Sequence, residues 1–145
     1  MRHAVDGYEI DDDRRRIDID AVHAFIAGES YWGRGRPLDL VERAWSGSAR
    51  VLGCYHGGAQ VGGCRVISDA ATYAYLADVY VVAAHRRRGL GVAIVRAAVE
   101  GDGYRELRWQ LHTSDAHRLY ARFGFEPDAG DARAMFRAAG SLSRP

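Results

Sequence analysis

Three consecutive arginines, Arg86, Arg87 and Arg88, stand directly before Gly89-Leu90-Gly91, and the chain turns apolar from there without a break. The run "YLADVYVV" before them is strand-like. A strand, a loop of small residues and a helix, in that order, can hold an anion locally. The first-turn amides of a helix have no intrahelical acceptors, and the helix dipole is positive at that end. Gly89 and Gly91 carry no side chain to keep an anion away from those amides, and arginines beside them add charge-assisted contacts. The loop is not a dinucleotide fingerprint, because position 94 is Ile where the third glycine of G-x-G-x-x-G belongs, and it lacks the Gly-Lys-Ser/Thr of a Walker loop.

Groups that could move protons are more scattered. Asp78 is a lone carboxylate in an otherwise apolar strand, where a charge is costly unless paired or used and where desolvation would raise its pKa. It could act as a base, hold a substrate ammonium, or be a structural carboxylate bonded to backbone amides. His112 and His117 flank the same region and could serve instead. On helix spacing alone, Tyr120 reads equally as a packing aromatic beside Leu119 and Phe123 and as a phenol placed for proton transfer. Cys54 and Cys64 sit in apolar runs without CxxC or Cys/His spacing, so the sequence points to no metal site, requires no disulfide, and offers no base to make either an acyl-carrying nucleophile.

Composition narrows the partners. All 20 basic residues are arginine, set against 19 acidic ones for a net charge of +1, so the chain has no broad attraction for nucleic acid or an acidic membrane. With no lysine, Schiff-base chemistry and self-acetylation on lysine are excluded. The 145 residues suit one domain, 1–145. No apolar run reaches the roughly 20 residues of a membrane span, and the first residues lack the apolar core of a signal peptide. A cytoplasmic protein is expected.

The elements that must position these residues follow from periodicity. Tyr8 to Ile10 reads as a short strand, "DDDRRR" as a solvated turn, "DIDAVHAFIAG" as a helix capped by Asp18 or Asp20 and ended by Gly28, and "LDLVERAWSGS" as a second helix. Then the period becomes strand-like through "ARVLGCYH", "AQVGGCRVISD" and "TYAYLADVYVV", with Gly57-Gly58 as a hairpin signal. "GLGVAIVRAAVEG" is a helix, "LRWQLHT" a strand, "DAHRLYARF" a short helix, and "GFEP" and "RAMFRA" two last strands. The order describes an α/β domain with a mixed central sheet of about six to seven strands and about four helices.

The segment Arg86 to Gly91 also matches R-x-x-G-x-G, and "DAHRLYARFGFEP" carries Ala116, Tyr120, Gly124 and Phe125 on the pattern A-x-x-L-Y-x-x-x-G-F. Together these resemble the GNAT superfamily of N-acetyltransferases, over about Val51 to Pro127. The resemblance implies a sheet splayed between the fourth and fifth strands and a pyrophosphate of acetyl-CoA held by Arg86, Arg87, Arg88, Gly89, Leu90, Gly91 and Val92. It further implies that Val79 and Val81 pair with the pantetheine arm, that Thr113 stands near the donor, and that Tyr120 is the acid for the departing thiolate. Asp78 then becomes the leading candidate for the base. Tyr31, Trp32, Arg34, Arg36 and His112 would border a small-molecule amine acceptor, with an arginine of that loop reading a carboxylate. Arg87 and Thr113 replace the Gly and Asn common in the family.

Acetyl transfer needs a positioned thioester, a neutral amine and a proton for the thiolate. The expected activity is direct N-acetylation of a small molecule or amino acid from acetyl-CoA, without metal, nucleic acid or membrane. The alternatives are a catalytically silent acyl-CoA sensor of the same fold, a protein or peptide N-acetyltransferase, or a nucleic-acid module built on "HRRR". The chain could act alone or as a homodimer.

Overall fold

Eight strands form one mixed sheet in the computed structural model, which describes residues 2–140. The strands are β1 (Arg2–Val5), β2 (Tyr8–Asp11), β3 (Arg50–His56), β4 (Ala59–Ser68), β5 (Tyr73–Val81), β6 (Arg108–His112), β7 (Glu126–Asp128) and β8 (Asp131–Arg137). They lie in the order β1-β2-β3-β4-β5-β6-β8-β7. Four α-helices complete the fold: α1 (Ile19–Gly28), α2 (Leu38–Ser46), α3 (Leu90–Val99) and α4 (His117–Ala121). The expected helices and mixed sheet are present, with one strand more than expected. The extra strand is β1, joined to β2 by Asp6 and Gly7, both at positive φ as a tight two-residue hairpin requires.

Alternate residues of each strand feed opposite layers. On β3, Leu52 and Cys54 pack with Leu90, Ile94, Val95 and Ala98 of α3, while Val51 packs with Val22 and Ile26 of α1 and Val41 and Trp45 of α2. The side chain of Asp18 caps α1 by accepting from the Ala21 amide. The run "DDDRRR" is not simply a solvated turn. Arg14 donates to the carbonyls of Trp45, Ser46 and Ser48 at the end of α2, and Arg16 pairs with Glu9 and Asp11 while stacking on Tyr55. Only Arg15, paired with Asp13, lies fully outside.

Two irregularities in β5 prepare a site. The first is a bulge: the β4–β5 register slips between Gly63↔Tyr80 and Arg65↔Ala77, and Asp78 takes a φ of 55°. Across it the strand changes face, so that Ala74 and Leu76 point to the α3 layer and Tyr80 to the α1–α2 layer. The second is a splay. Parallel pairing of β5 with β6 is confined to Tyr73–Tyr75 against Arg108–Gln110, while on its other side β6 pairs with β8 from Trp109 to His112. These are the strands expected to part, numbered β5 and β6 because β1 shifts the count.

Candidate active site

The splay opens a pocket of about 900 Å³. Its walls are β5 from Tyr75 to Val81, the β6–α4 segment from His112 to Ala116, Leu119 and Tyr120 of α4, Gly91 of α3, and Tyr31, Trp32 and Arg36 of the α1–α2 loop. Of the residues singled out in the sequence, Tyr31, Trp32, Arg36, Asp78, Val79, Val81, Arg86, Gly91, His112, Thr113, Ala116 and Tyr120 meet there.

One end is built for an anion. Gly89 caps α3 with a φ of 77° and no side-chain bond to the first-turn amides, so those amides stay open. A Cβ placed on Gly91 would meet nothing nearer than Leu119 Cδ2 at 3.9 Å. Packing within the chain therefore does not demand glycine at this position. Arg87 adopts a φ of 64°, the left-handed conformation its position requires although it is not glycine. Arg86, Arg87 and Arg88 are exposed, and Arg86 is held by its Nε donating to the Val81 carbonyl at 3.0 Å. Leu90 is buried in the core and Val92 packs against it, so both offer only their amides to this end.

Between the ends runs backbone of β5 that β6 does not pair. The Val82 amide donates to the Val61 carbonyl on β4. By strand alternation, Val79 and Val81 therefore turn their N–H and C=O groups to the gap left by β6. An extended, amide-bearing chain laid in the gap would satisfy them. Thr113 closes the far side: its hydroxyl accepts from the amides of Ala116 and Asp115, and its own amide donates to Arg133. The threonine fixes the β6–α4 turn.

Tyr120 is 7% exposed, packs edge-on to Phe125, and lines the pocket. Its hydroxyl makes no hydrogen bond among the described residues. Burial, reinforced by Cys64, Tyr31, Asp115 and Tyr75, pushes its phenol well above the usual value, so it holds its proton. At the mouth, the Tyr31 hydroxyl accepts from the Ser114 amide at 2.9 Å, bridging the α1–α2 loop to the β6–α4 turn.

Asp78 is placed differently from its expected role as a base. Its Oδ1 accepts from Trp32 Nε1 at 2.8 Å and Arg36 Nη1 at 3.4 Å, and its Oδ2 from Arg65 Nε at 2.7 Å and Trp45 Nε1 at 3.2 Å. With two donors on each oxygen, no lone pair is left for a substrate proton. His112, in contrast, faces the pocket with its Nδ1 2.6 Å from the Tyr75 hydroxyl and its Nε2 3.8 Å from Asp131. Burial also raises the Tyr75 pKa. Arg34 is exposed and lies outside the pocket wall; its neighbour Arg36 occupies the place expected of it. His117 lies outside as well, its Nε2 donating to the Ala132 carbonyl. Burial pushes the thiol of Cys54 up to about 11 and that of Cys64 to about 12, which leaves neither nucleophilic. Among the described residues, no three His, Cys, Asp or Glu side chains come together to hold a metal, and no helix is long and apolar enough to cross a membrane.

Arg65, Tyr75 and Arg133 are polar pocket residues not singled out in the sequence. Arg65 and Tyr75 lie in runs read only as strands, and their common face becomes visible only once the bulge and the β4–β5 register are known.

A sheet splayed beside the open N-terminus of a helix defines the acetyltransferase class of fold. The family described as Acetyltransferase (GNAT) domain matches residues 47–127. A putative acetyltransferase of the GNAT family from Xanthomonas campestris pv. campestris is 39% identical, with 87% of this chain and 89% of that one covered at a TM-score of 0.81. The chain belongs to the GNAT acetyltransferase family. Two more distant structures share its fold. One is a probable acetyltransferase from Staphylococcus aureus, at 19% identity, TM-score 0.67, covering 84% and 92% of the two chains. The other is N-acetylglutamate synthase from Neisseria gonorrhoeae, complexed with coenzyme A and L-arginine, at 15% identity and TM-score 0.66, with 91% of this chain and 33% of that one covered. No curated protein matches the sequence.

Proposed function

We propose that the protein is an N-acetyltransferase that moves the acetyl group of acetyl-CoA directly to the primary amine of a small molecule. The observation that carries the reading is the pocket itself, which joins the open α3 N-terminus, the backbone of Val79 and Val81 that β6 does not pair, and the hydroxyl of Tyr120, unbonded among the described residues. When bound, acetyl-CoA supplies an activated thioester. The amides of residues 89–92 and Arg86 neutralise its pyrophosphate, and the glycine at position 91 lets it approach. Val79 and Val81 hold the amide-bearing arm in register along β5.

Tyr120 donates its proton to the sulfur as the carbon–sulfur bond breaks. A thiolate with a conjugate-acid pKa of about 8.5 is itself a good leaving group, so a short hydrogen bond or proton transfer from the phenol suffices. As the carbon–nitrogen bond forms, the ammonium proton passes to the Tyr75–His112 pair, with Asp131 3.8 Å from the imidazole Nε2. Asp78 takes the part of an organiser that fixes Trp32 and Arg36 at the acceptor end.

Amine-dependent release of thiol from acetyl-CoA tests the proposal. Release with at least one primary amine, and its loss on adding a desulfo donor analogue, is expected. Binding of acetyl-CoA without thiol release across a broad amine panel would point to a silent sensor instead.

A further inference from the structure

We propose that the acceptor amine carries an oxyanion, a carboxylate or a phosphoryl group, and that Arg65 and Arg36 read it. The inference rests on the acetyltransferase reading and deepens it. It starts from the charge around Asp78. Two guanidiniums face this one carboxylate, so the cluster as a whole keeps one positive charge inside the pocket wall. Of the other arginines on the pocket wall, Arg133 pairs with Asp131 and Arg86 stands at the donor end, so the excess at the acceptor end is that of the Asp78 cluster.

The donors left over have a direction. Arg65 uses Nε on Asp78 and Nη1, at 3.5 Å, on the Ser48 hydroxyl. Its Nη2 has no acceptor among the described residues, although the side chain is only 13% exposed. Arg36 uses Nη1 on Asp78 and leaves Nε and Nη2 free on the same terms, with 30% of its side chain exposed. These donors open onto the pocket, where a ligand oxygen can take the place of water on them. A carboxylate or a phosphoryl group presents two oxygens to such donors at once, which a neutral amide or alkyl group does not.

Asp78 makes the arrangement rigid. Its bulge conformation, the indole of Trp45 and the indole of Trp32 hold the carboxylate from three sides, and the carboxylate in turn fixes both guanidiniums. The aromatic rings of Trp32, Tyr31 and Tyr75 supply the apolar wall beside them. The acceptor is therefore expected to be an amphipathic amino acid or an aminoalkyl phosphonate or phosphate rather than a simple alkylamine or polyamine. A polyamine would bring further positive charge to a wall that already carries an excess of it.

The test compares kcat/KM in the thiol-release assay for matched acceptors: α-amino acids, the corresponding amino acid amides, the decarboxylated amines, and aminoalkyl phosphonates. The purified full chain should favour the anionic acceptors over the neutral ones by about tenfold or more, the size of a charge-assisted contact. The larger ratio of the two anionic arms assigns carboxylate or phosphoryl. Arg65→Gln and Arg36→Gln should each lower that ratio mainly through KM. Arg36→Gln alters the more exposed partner, and the wild-type ratio needs no variant, so the test survives if Arg65→Gln fails to fold. Acetylation of neutral amines as fast as of their anionic counterparts would overturn this inference and leave the acetyltransferase reading standing. Absence of acetyl-CoA binding would overturn both.

Discussion

Replacing Gly91 by alanine separates what the fold needs from what the ligand needs. Gly91 is the second residue of α3 and is not at positive φ, and a Cβ there would touch only Leu119 at an ordinary 3.9 Å. Alanine should therefore stabilise the free protein by about 0.4–1 kcal/mol, the usual gain when a glycine in a compatible conformation is replaced. For a domain of this size that raises Tm by roughly 1–4 °C. The same methyl group projects toward the open amides at the head of α3. Overpacking a close contact costs on the order of 1–3 kcal/mol, which corresponds to about 5- to 150-fold weaker binding of acetyl-CoA. Thermal melting of the free protein and calorimetric titration with acetyl-CoA read the two effects independently. Wild-type affinity in the alanine variant would refute the placement of the donor, and a lower Tm would refute the account of the glycine.

Other expectations bear on the acid, the loop and the core. Tyr120→Phe removes a hydroxyl that bonds nothing among the described residues, so Tm should stay within about 2 °C while kcat falls by roughly 10²- to 10⁴-fold, the usual weight of a general acid; unchanged turnover would remove Tyr120 from the mechanism. Arg87→Gly relieves a φ of 64°, which costs a non-glycine residue about 1–2 kcal/mol, and should raise Tm. A fall in acetyl-CoA affinity in that variant that vanishes at high salt would show Arg87 acting on the phosphates through charge. Stability should also fall in alkali. Burial holds Cys54 at about 11, Cys64 and Tyr55 at about 12, and Tyr80 and Tyr120 higher, whereas unfolded thiols and phenols ionise near 8.5 and 10. The folded state thus binds more protons above those values. The stabilisation is complete below about pH 8 and is lost as pH rises from about 8.5 through the folded values. Urea unfolding at pH 7.5 and pH 10 checks this, and equal stability at both would contradict it.

Much of the fold could be read from periodicity because most elements carry strong local signals. Asp18 caps α1, the β-branched runs become β3 to β5, and the arginine and glycine loop opens α3 as its spacing predicts. β1 was missed because Arg2–Val5 is short and largely exposed, although the Asp6-Gly7 turn that forms its hairpin stands in the sequence. The site's location was legible where a residue's placement depends on its own segment, as for Gly91 and Tyr120, which both line the pocket. It was not legible where the role depends on a partner far along the chain. Asp78 looked like an unpaired charge because its four donors come from positions 32, 36, 45 and 65, none near it in sequence. Arg65 looked like an ordinary strand residue for the same reason. "DDDRRR" looked solvated because the carbonyls that Arg14 holds lie more than thirty residues away, at the end of α2.

A crystal structure of the protein with coenzyme A is the most direct measurement of the central claim. The pyrophosphate is expected on the amides of residues 89–92, the pantetheine arm against Val79 and Val81, and the sulfur within hydrogen-bonding reach of the Tyr120 hydroxyl. Coenzyme A bound elsewhere on the surface, or bound in the cleft with its sulfur far from Tyr120, would contradict the account.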